Sequence, residues 1–219
     1  MNTNLTSHLK GAYLGDLLAQ PSALIDTIAT LPSLPPLPTG ALAGERIVLT
    51  GMGASLHAIH PLRLRLVRAG RTAFVVETAE LINAQSALLD ARTLIIAVSQ
   101  SGRSAETVQL LDLVGRSASR PFVIGVTNGA DSPLALRADA KLVLRAGPEH
   151  SVSCKTYIST LAALEWLGGA LCGAPTGPII AELEQAAPAV QAYYADWQAK
   201  VAHLAGEFTH LRHLFLTGR

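Results

Sequence analysis

Short runs of continuous apolar residues, alternating with amphipathic helical stretches, constrain this chain more than any other feature. The runs are Ile47-Val48-Leu49, Ala73-Phe74-Val75-Val76, Thr93-Leu94-Ile95-Ile96-Ala97-Val98, Pro121-Phe122-Val123-Ile124-Gly125-Val126 and Lys141-Leu142-Val143-Leu144. A strand that is apolar at nearly every position has no face to give to water, so both of its faces must be covered. Helical stretches over about 56–68 and 104–114 supply that cover, and strand–helix–strand crossovers of this kind are right-handed. The pattern predicts an α/β fold in which a parallel sheet of roughly five strands is sandwiched by helices.

The flanks read differently. The first thirty residues are helical in pattern, with Leu9, Leu14, Leu17, Leu18, Leu24 and Ile28 supplying apolar contacts. Pro21 starts a second helical segment, because proline is tolerated in a first turn and damaging later. The proline-rich stretch from Leu31 to Gly40 cannot be a regular element and reads as an extended, stiff connector. Beyond the apolar runs, an Ala/Leu-rich helix is predicted from Lys155 to about Leu171. Gly173-Ala174-Pro175-Thr176-Gly177-Pro178 breaks it, and a second helix covers about Ile179 to Leu204. His213-Leu214-Phe215-Leu216-Thr217-Gly218-Arg219 looks like a strand entering a glycine turn, where another strand–turn–helix unit would begin. The expected organisation is an arm and connector over 1–43, an α/β domain over 44–175, a linker helix over 176–210, and the start of a second domain over 211–219.

Composition removes several function classes. Lysine and arginine number 17 against 16 acidic residues, a formal charge of +1. That balance carries no electrostatic footprint for nucleic acid or an anionic membrane. An apolar content of 49% is incompatible with disorder throughout. There is no uninterrupted apolar run of about 18–20 residues, so no membrane-spanning helix is expected. Met1-Asn2-Thr3-Asn4-Leu5 lacks a basic segment followed by an apolar one, so no signal peptide is expected. Cys154 and Cys172 fit neither a CxxC pair nor a ligand cluster and read as small buried thiols in a reducing cytosol. The seven histidines are scattered. No metal site and no cofactor is argued, and a cytoplasmic protein is expected.

Three turns carry chemistry. After the first run comes Gly51-Met52-Gly53-Ala54-Ser55, half of a dinucleotide fingerprint that would need glycine where Leu56 stands. Those glycines could equally serve tight turning and helix–strand contact. After the third run comes Ser99-Gln100-Ser101-Gly102-Arg103-Ser104, between a buried strand and a helix start. A helix N-terminus leaves N–H groups unpaired and carries partial positive charge, so it stabilises an anion. Ser99, Ser101 and Ser104 can donate to phosphate oxygens, and Gly102 would let the backbone approach. No lysine follows as in GxxxxGK[ST], which disfavours a nucleoside-triphosphate loop. The simpler alternative is that Ser101 or Ser104 only caps the helix. A third segment, Gly147 to Tyr157, again joins a strand to a helix; its Glu149 and Lys155 could be ordinary solvated charges.

Taken together, Gly51-x-Gly53-x-Ser55, Ser99-Gln100-Ser101-Gly102, Thr127-Asn128, Asp131-Ser132-Pro133-Leu134-Ala135, Ala138-Asp139 and Ala146-Gly147-Pro148-Glu149 resemble the sugar isomerase (SIS) domain in order and spacing. The resemblance covers about residues 44 to 172. It is closest to the isomerase half of glucosamine-6-phosphate synthase and to glutaminase-free phosphosugar isomerases and amino-sugar-phosphate deaminases. Leu18-Ala19-Gln20-Pro21-Ser22-Ala23-Leu24 also looks like the Glu-Gln-Pro helix preceding the first such domain in that group. The resemblance implies a flavodoxin-like or Rossmann-like five-stranded parallel sheet. It further implies a phosphate loop at Ser99, Gln100, Ser101, Gly102 and Ser104, with Ser104 where relatives often carry threonine. Met52, Gly53 and Ala54, followed by Ser55, would line the sugar, with Met52 and Ala54 replacing a cysteine and a threonine. Val152 would match a sugar-contacting valine, in a segment one residue shorter than the usual Val-Ala-Ser-Thr-Lys-x-Phe. Glu80 would match a structural or interface glutamate.

In such enzymes the proton-transfer groups lie mostly in a second SIS domain and a C-terminal tail, so Glu149 is the best local candidate for a catalytic carboxylate. The implied function is aldose–ketose isomerisation or deamination of an amino-sugar or ketose 6-phosphate, without cofactor or metal. The alternative is a sugar-phosphate sensor that binds without turnover; the chain contains no helix-turn-helix pattern that would make it a transcription factor. The expected partners are a sugar phosphate and a second copy of the chain, with the Ala/Leu helices after Lys155 as the pairing surface.

Overall fold

All-apolar runs become the inner strands of one sheet. In the computed structural model, which describes residues 11–33, 37, 45–150 and 152–215, β1 (Arg46–Gly51), β2 (Ala73–Glu77), β3 (Thr93–Val98), β4 (Phe122–Thr127) and β5 (Ala140–Val143) align in the order β2-β1-β3-β4-β5. Every pair is parallel, with Ile47 opposite Leu94 and Ala73, and Ile96 opposite Ile124. This is the doubly wound, flavodoxin-like order that the sequence pattern and the resemblance imply. β3 is buried along its whole length, whereas the edge strand β2 exposes Phe74 and Glu77. The alternation the eye misses in a continuous apolar run reappears as two separate cores. Ile47, Leu49, Leu94, Ile96 and Ile124 face Leu62, Leu66, Ala163 and Leu167, while Val48, Ile95, Ala97 and Val123 face Leu81, Leu110, Leu111 and Val114. Each such buried valine, leucine or isoleucine side chain stabilises the fold by about 1.5–3 kcal/mol.

The crossovers are α3 (Ala54–Ala58) with α4 (His60–Arg68), then α5 (Thr78–Asn83), α6 (Ala105–Arg116) and α7 (Pro133–Arg137). The single helix expected over 56–68 is two helices, because Pro61 enters the first turn of α4 and Ile59 serves as its N-cap.

The N-terminal arm is α1 (Ala12–Leu18) and α2 (Gln20–Ile28), with Pro21 in the first turn of α2 as expected. Downstream lie α8 (Lys155–Leu171), α9 (Thr176–Tyr194) and α10 (Trp197–Phe208). Leu24 and Ile28 of α2 form a third small core with Ala162 of α8 and Ala187 of α9. The connector is not wholly irregular either, since Leu31–Ser33 makes a 3-10 turn and Leu31 is buried in the main core. The helix expected over 179–204 is interrupted where Asp196 leaves helical geometry at φ −119° and ψ 28°. Of the Ala/Leu helices expected to pair two copies, α8 is buried within the chain itself, against the sheet, α2 and α9, whereas α9 and α10 are largely exposed. Of the C-terminal strand expected over 213–219, His213 to Phe215 is irregular and exposed, and 216–219 lie outside the described residues. No helix among the described residues is long and apolar enough to cross a membrane.

Candidate functional site

In a doubly wound sheet the crevice opens at the carboxyl ends of strands whose connections leave in opposite directions, here β1 and β3. Their ends are close. A Cβ on Gly51 would stand 3.0 Å from the carbonyl oxygen of Val98 and 3.1 Å from the Leu56 nitrogen, so only glycine fits. Gly53 then turns the chain at φ 52° and ψ −125°, a conformation side chains avoid, and a Cβ there would meet nothing within 4 Å. The turn therefore faces open space. Met52 and Ser55 are half-buried, and Ala54 is exposed at the start of α3.

Ser99 to Ser104 connect the end of β3 to the start of α6. Ser99 is buried and its Oγ accepts the Gly102 N–H at 3.2 Å. The exposed Ser101 Oγ accepts the Arg103 N–H at 3.2 Å. Because each oxygen accepts, the hydroxyl hydrogen remains able to donate. Ser104 is the N-cap of α6: its Oγ accepts the Thr107 N–H at 3.3 Å and shares a hydrogen with Thr107 Oγ1 at 2.8 Å. The capping alternative holds for Ser104 in full, and Ser101 does not cap α6. Gly102 does something other than admit a ligand. At φ 63° its missing side chain would lie 2.2 Å from Ser132 Oγ and 2.8 Å from Thr127 Oγ1, so it lets the loop pack onto the β4 side of the domain. Arg103 reaches sideways to the Asp131 carbonyl at 3.1 Å and its carboxylate at 3.3 Å.

Gln100 ties this loop to the next. Its carbonyl accepts from the Asn128 N–H at 3.0 Å and Thr127 Oγ1 at 3.2 Å. Asn128 in turn donates from Nδ2 to the Gly147 carbonyl at 2.8 Å and accepts the Ala146 N–H at 3.1 Å. Thus 147–155 is hydrogen-bonded through Asn128 to the serine loop, and Val152 stands 60% exposed on it.

Glu149 departs from the expectation of a free catalytic carboxylate. One oxygen accepts the N–H groups of Cys154 at 2.8 Å and Thr156 at 3.2 Å, and the other accepts the Thr156 hydroxyl. Those are the unpaired donors at the start of α8, so Glu149 is a helix cap. Lys155 is not a solvated charge but is buried against Asp16 of α1, Nζ to Oδ1 at 2.8 Å. Asp16 also accepts the His150 N–H at 2.7 Å. The Lys155 ammonium, and after it the His150 N–H, hold the Asp16 carboxyl down at about 2. Burial pushes the Cys154 thiol up. Asp16 escaped the sequence reading; its one signal was an acid on an apolar helical turn beside Leu14, Leu17 and Leu18. Glu80 is exposed and accepts from Gln85 at 2.7 Å.

The arrangement sets hydroxyl donors, backbone amides and the start of α6 at the end of β3, beside the Gly51–Ser55 turn at the end of β1. Among the described residues no cluster of histidine, cysteine or acidic groups could hold a metal ion.

Residues 43–168 match the SIS domain family. The chain is 33% identical over 186 residues to a glutamine--fructose-6-phosphate aminotransferase [isomerizing] of Pyrococcus horikoshii, an alignment spanning 82% of this chain and 31% of that protein. It spans about a third of the length of the curated relatives it matches. Among solved structures, its fold is similar to the C-terminal domain of glucosamine-fructose-6-phosphate aminotransferase from Francisella tularensis, with TM-score 0.72 and 18% identity over 94% of this chain and 62% of that one. It is also similar to glucosamine-6-phosphate deaminase from Thermotoga maritima, with TM-score 0.61 and 19% identity over 79% of this chain and 52% of that one.

Proposed function

Because this chain belongs to the SIS domain family, we propose that it binds a sugar phosphate in the crevice between the ends of β1 and β3. The phosphate lies against Ser99, Gln100, Ser101 and the start of α6, and the sugar extends toward Met52, Gly53, Ala54, Ser55 and Val152. The observation that carries this is the hydrogen bonding of Ser99 and Ser101: each oxygen is fixed by a backbone N–H, which leaves the O–H as a preset donor to an anion. The substrate class is an amino-sugar or ketose 6-phosphate, in keeping with the names of the relatives. The reaction is aldose–ketose isomerisation or deamination, with the phosphate grip holding the sugar for proton transfer between C1 and C2. Gly102 and Ser104 belong to this reading as shapers of the loop, and Glu149 as the cap of α8. A second reading, a sensor that binds without turnover, draws support from Glu149, whose carboxylate is committed to α8. A cytoplasmic homodimer is part of the proposal, to be measured by light scattering.

The test is calorimetry with glucosamine 6-phosphate and fructose 6-phosphate, using unphosphorylated glucosamine as comparator. A lost hydrogen bond to a charged group costs about 1.5–3 kcal/mol, so Ser101→Ala should weaken binding roughly 10- to 150-fold. Equal affinity in wild type and variant would remove the phosphate from this loop. Turnover of either sugar phosphate by the 219-residue chain would decide for the enzyme over the sensor.

A further inference from the structure

We infer that Asp16, on the N-terminal helix α1, is a positioning residue for the sugar end of the site, a role that rests on the sugar-phosphate reading above. The connection from β5 to α8, described over 147–150 and 152–154, carries the exposed Val152, which on that reading meets the sugar. Gly147 is fixed by Asn128, which donates to its carbonyl at 2.8 Å. The start of α8 is fixed by Glu149, which accepts from the backbone of Cys154 and Thr156. Between these anchors, no hydrogen bond from a strand residue reaches the described residues 148–150 and 152–153. Asp16 holds this stretch from both sides. Oδ2 accepts the His150 N–H at 2.7 Å, two residues before Val152, and Oδ1 accepts from Lys155 Nζ at 2.8 Å, three residues after it. His150 Nδ1 adds a contact at 3.5 Å.

The two paired charges are nearly sealed from water, with the side chains of Asp16 and Lys155 4% and 9% exposed. A buried ammonium whose acceptor is removed must find another or move out to solvent, taking the start of α8 with it. Asparagine in place of Asp16 keeps the volume but offers a single acceptor oxygen without charge, so it cannot hold His150 and Lys155 together. The arm has a second attachment, in the helix that follows α1. This α2 is bound through the Ser159 hydroxyl to the Ala23 carbonyl at 3.2 Å, and through the Arg145 N–H to Thr27 Oγ1 at 3.1 Å. α2 is thereby a fixed post, and Asp16, the buried residue of α1, is the point at which the arm grips the connection to α8.

The experiment compares two ligands in the full chain, glucosamine 6-phosphate by calorimetry and inorganic phosphate by phosphorus NMR titration. Inorganic phosphate reaches only the serine loop, whereas the sugar must also meet Val152. Asp16→Asn should leave phosphate binding unchanged and weaken glucosamine 6-phosphate by about tenfold or more, the loss expected when a contact surface is no longer preset. Asp16→Glu, which retains the charge, should recover part of that loss. An equal affinity for the sugar phosphate, or a parallel loss of both ligands, would overturn the role. If Asp16→Asn does not fold, the charge-free pair Asp16→Asn with Lys155→Gln takes its place with the same selective loss expected; wild-type sugar affinity there overturns it. Should the wild-type chain bind neither ligand, the sugar-phosphate reading falls first, and the positioning role with it.

Discussion

The two positive-φ glycines of the crevice should respond differently to the same substitution. Gly53 and Gly102 sit at φ 52° and 63°, so alanine at either forces a side chain into a backbone region it rarely occupies. That strain costs about 1–3 kcal/mol at each. At Gly53 the new Cβ meets nothing within 4 Å, so strain is the whole effect. At Gly102 the Cβ would lie 2.2 Å from Ser132 Oγ and 2.7 Å from Ser132 Cβ, with Thr127 Oγ1 at 2.8 Å. Relieving that overlap adds about 1–3 kcal/mol, as overpacking in a closed site does. Gly102→Ala should therefore destabilise by roughly 2–6 kcal/mol in total. In urea denaturation the extra penalty lowers the midpoint by about 1 M relative to Gly53→Ala, with the slope unchanged. Ser132→Ala removes the nearest atom, so in that background the cost of Gly102→Ala should shrink, a non-additivity that a double-mutant cycle reads directly. The reasoning is refuted if Gly102→Ala is no more harmful than Gly53→Ala, or if the Ser132 background makes no difference.

Two further outcomes follow from the strand-end loops. Asp16 has a carboxyl held at about 2, below the ordinary value near 3.9, so its contribution to stability is present above about pH 4 and is lost as pH falls toward 2. Melting temperatures from pH 5 to 2.5 should fall faster for wild type than for Asp16→Asn; parallel falls would contradict the assignment. Glu149→Gln keeps an acceptor but removes the charge from the start of α8, and should cost about 0.5–2 kcal/mol in denaturation, as a lost cap does. Sugar-phosphate affinity should change little, and a large loss of affinity without loss of stability would move Glu149 from cap to ligand contact.

The sheet was legible because its strands fall on continuous apolar runs between turn residues, and β3 is apolar from Leu94 to Val98. The two turns at its carboxyl edge were legible for a related reason: Gly51 and the Ser99–Ser104 hydroxyls have no use inside a strand or helix, so they mark where one stops. What could not be read was partnership across distance. Glu149 and Lys155 look alike in sequence as loop charges. One caps a helix and the other is buried on a carboxylate 139 residues earlier, a separation that follows from 155 − 16 and from no local spacing. Gly102 was read for its permissive backbone, but its neighbour Ser132 comes from another crossover and decides what the missing side chain is for. The splits at Ile59 and Asp196 were missed because the apolar pattern continues on either side of them.

The docking of the arm onto α8 and α9 has a consequence for how the chain is made. Leu24 and Ile28 leave a ribosome well before Ala187, part of their cover and about 160 residues later (187 − 28 = 159). At about 5–20 residues per second that interval is roughly 8–30 s, during which the native cover of these side chains is incomplete. The bonds from Ala23 to Ser159 and from Gln20 to Tyr194 close loops of similar length. Such closures come late, after the sheet has paid its own ordering entropy. The arm helices are thus made before the sheet they flank and find their places after it.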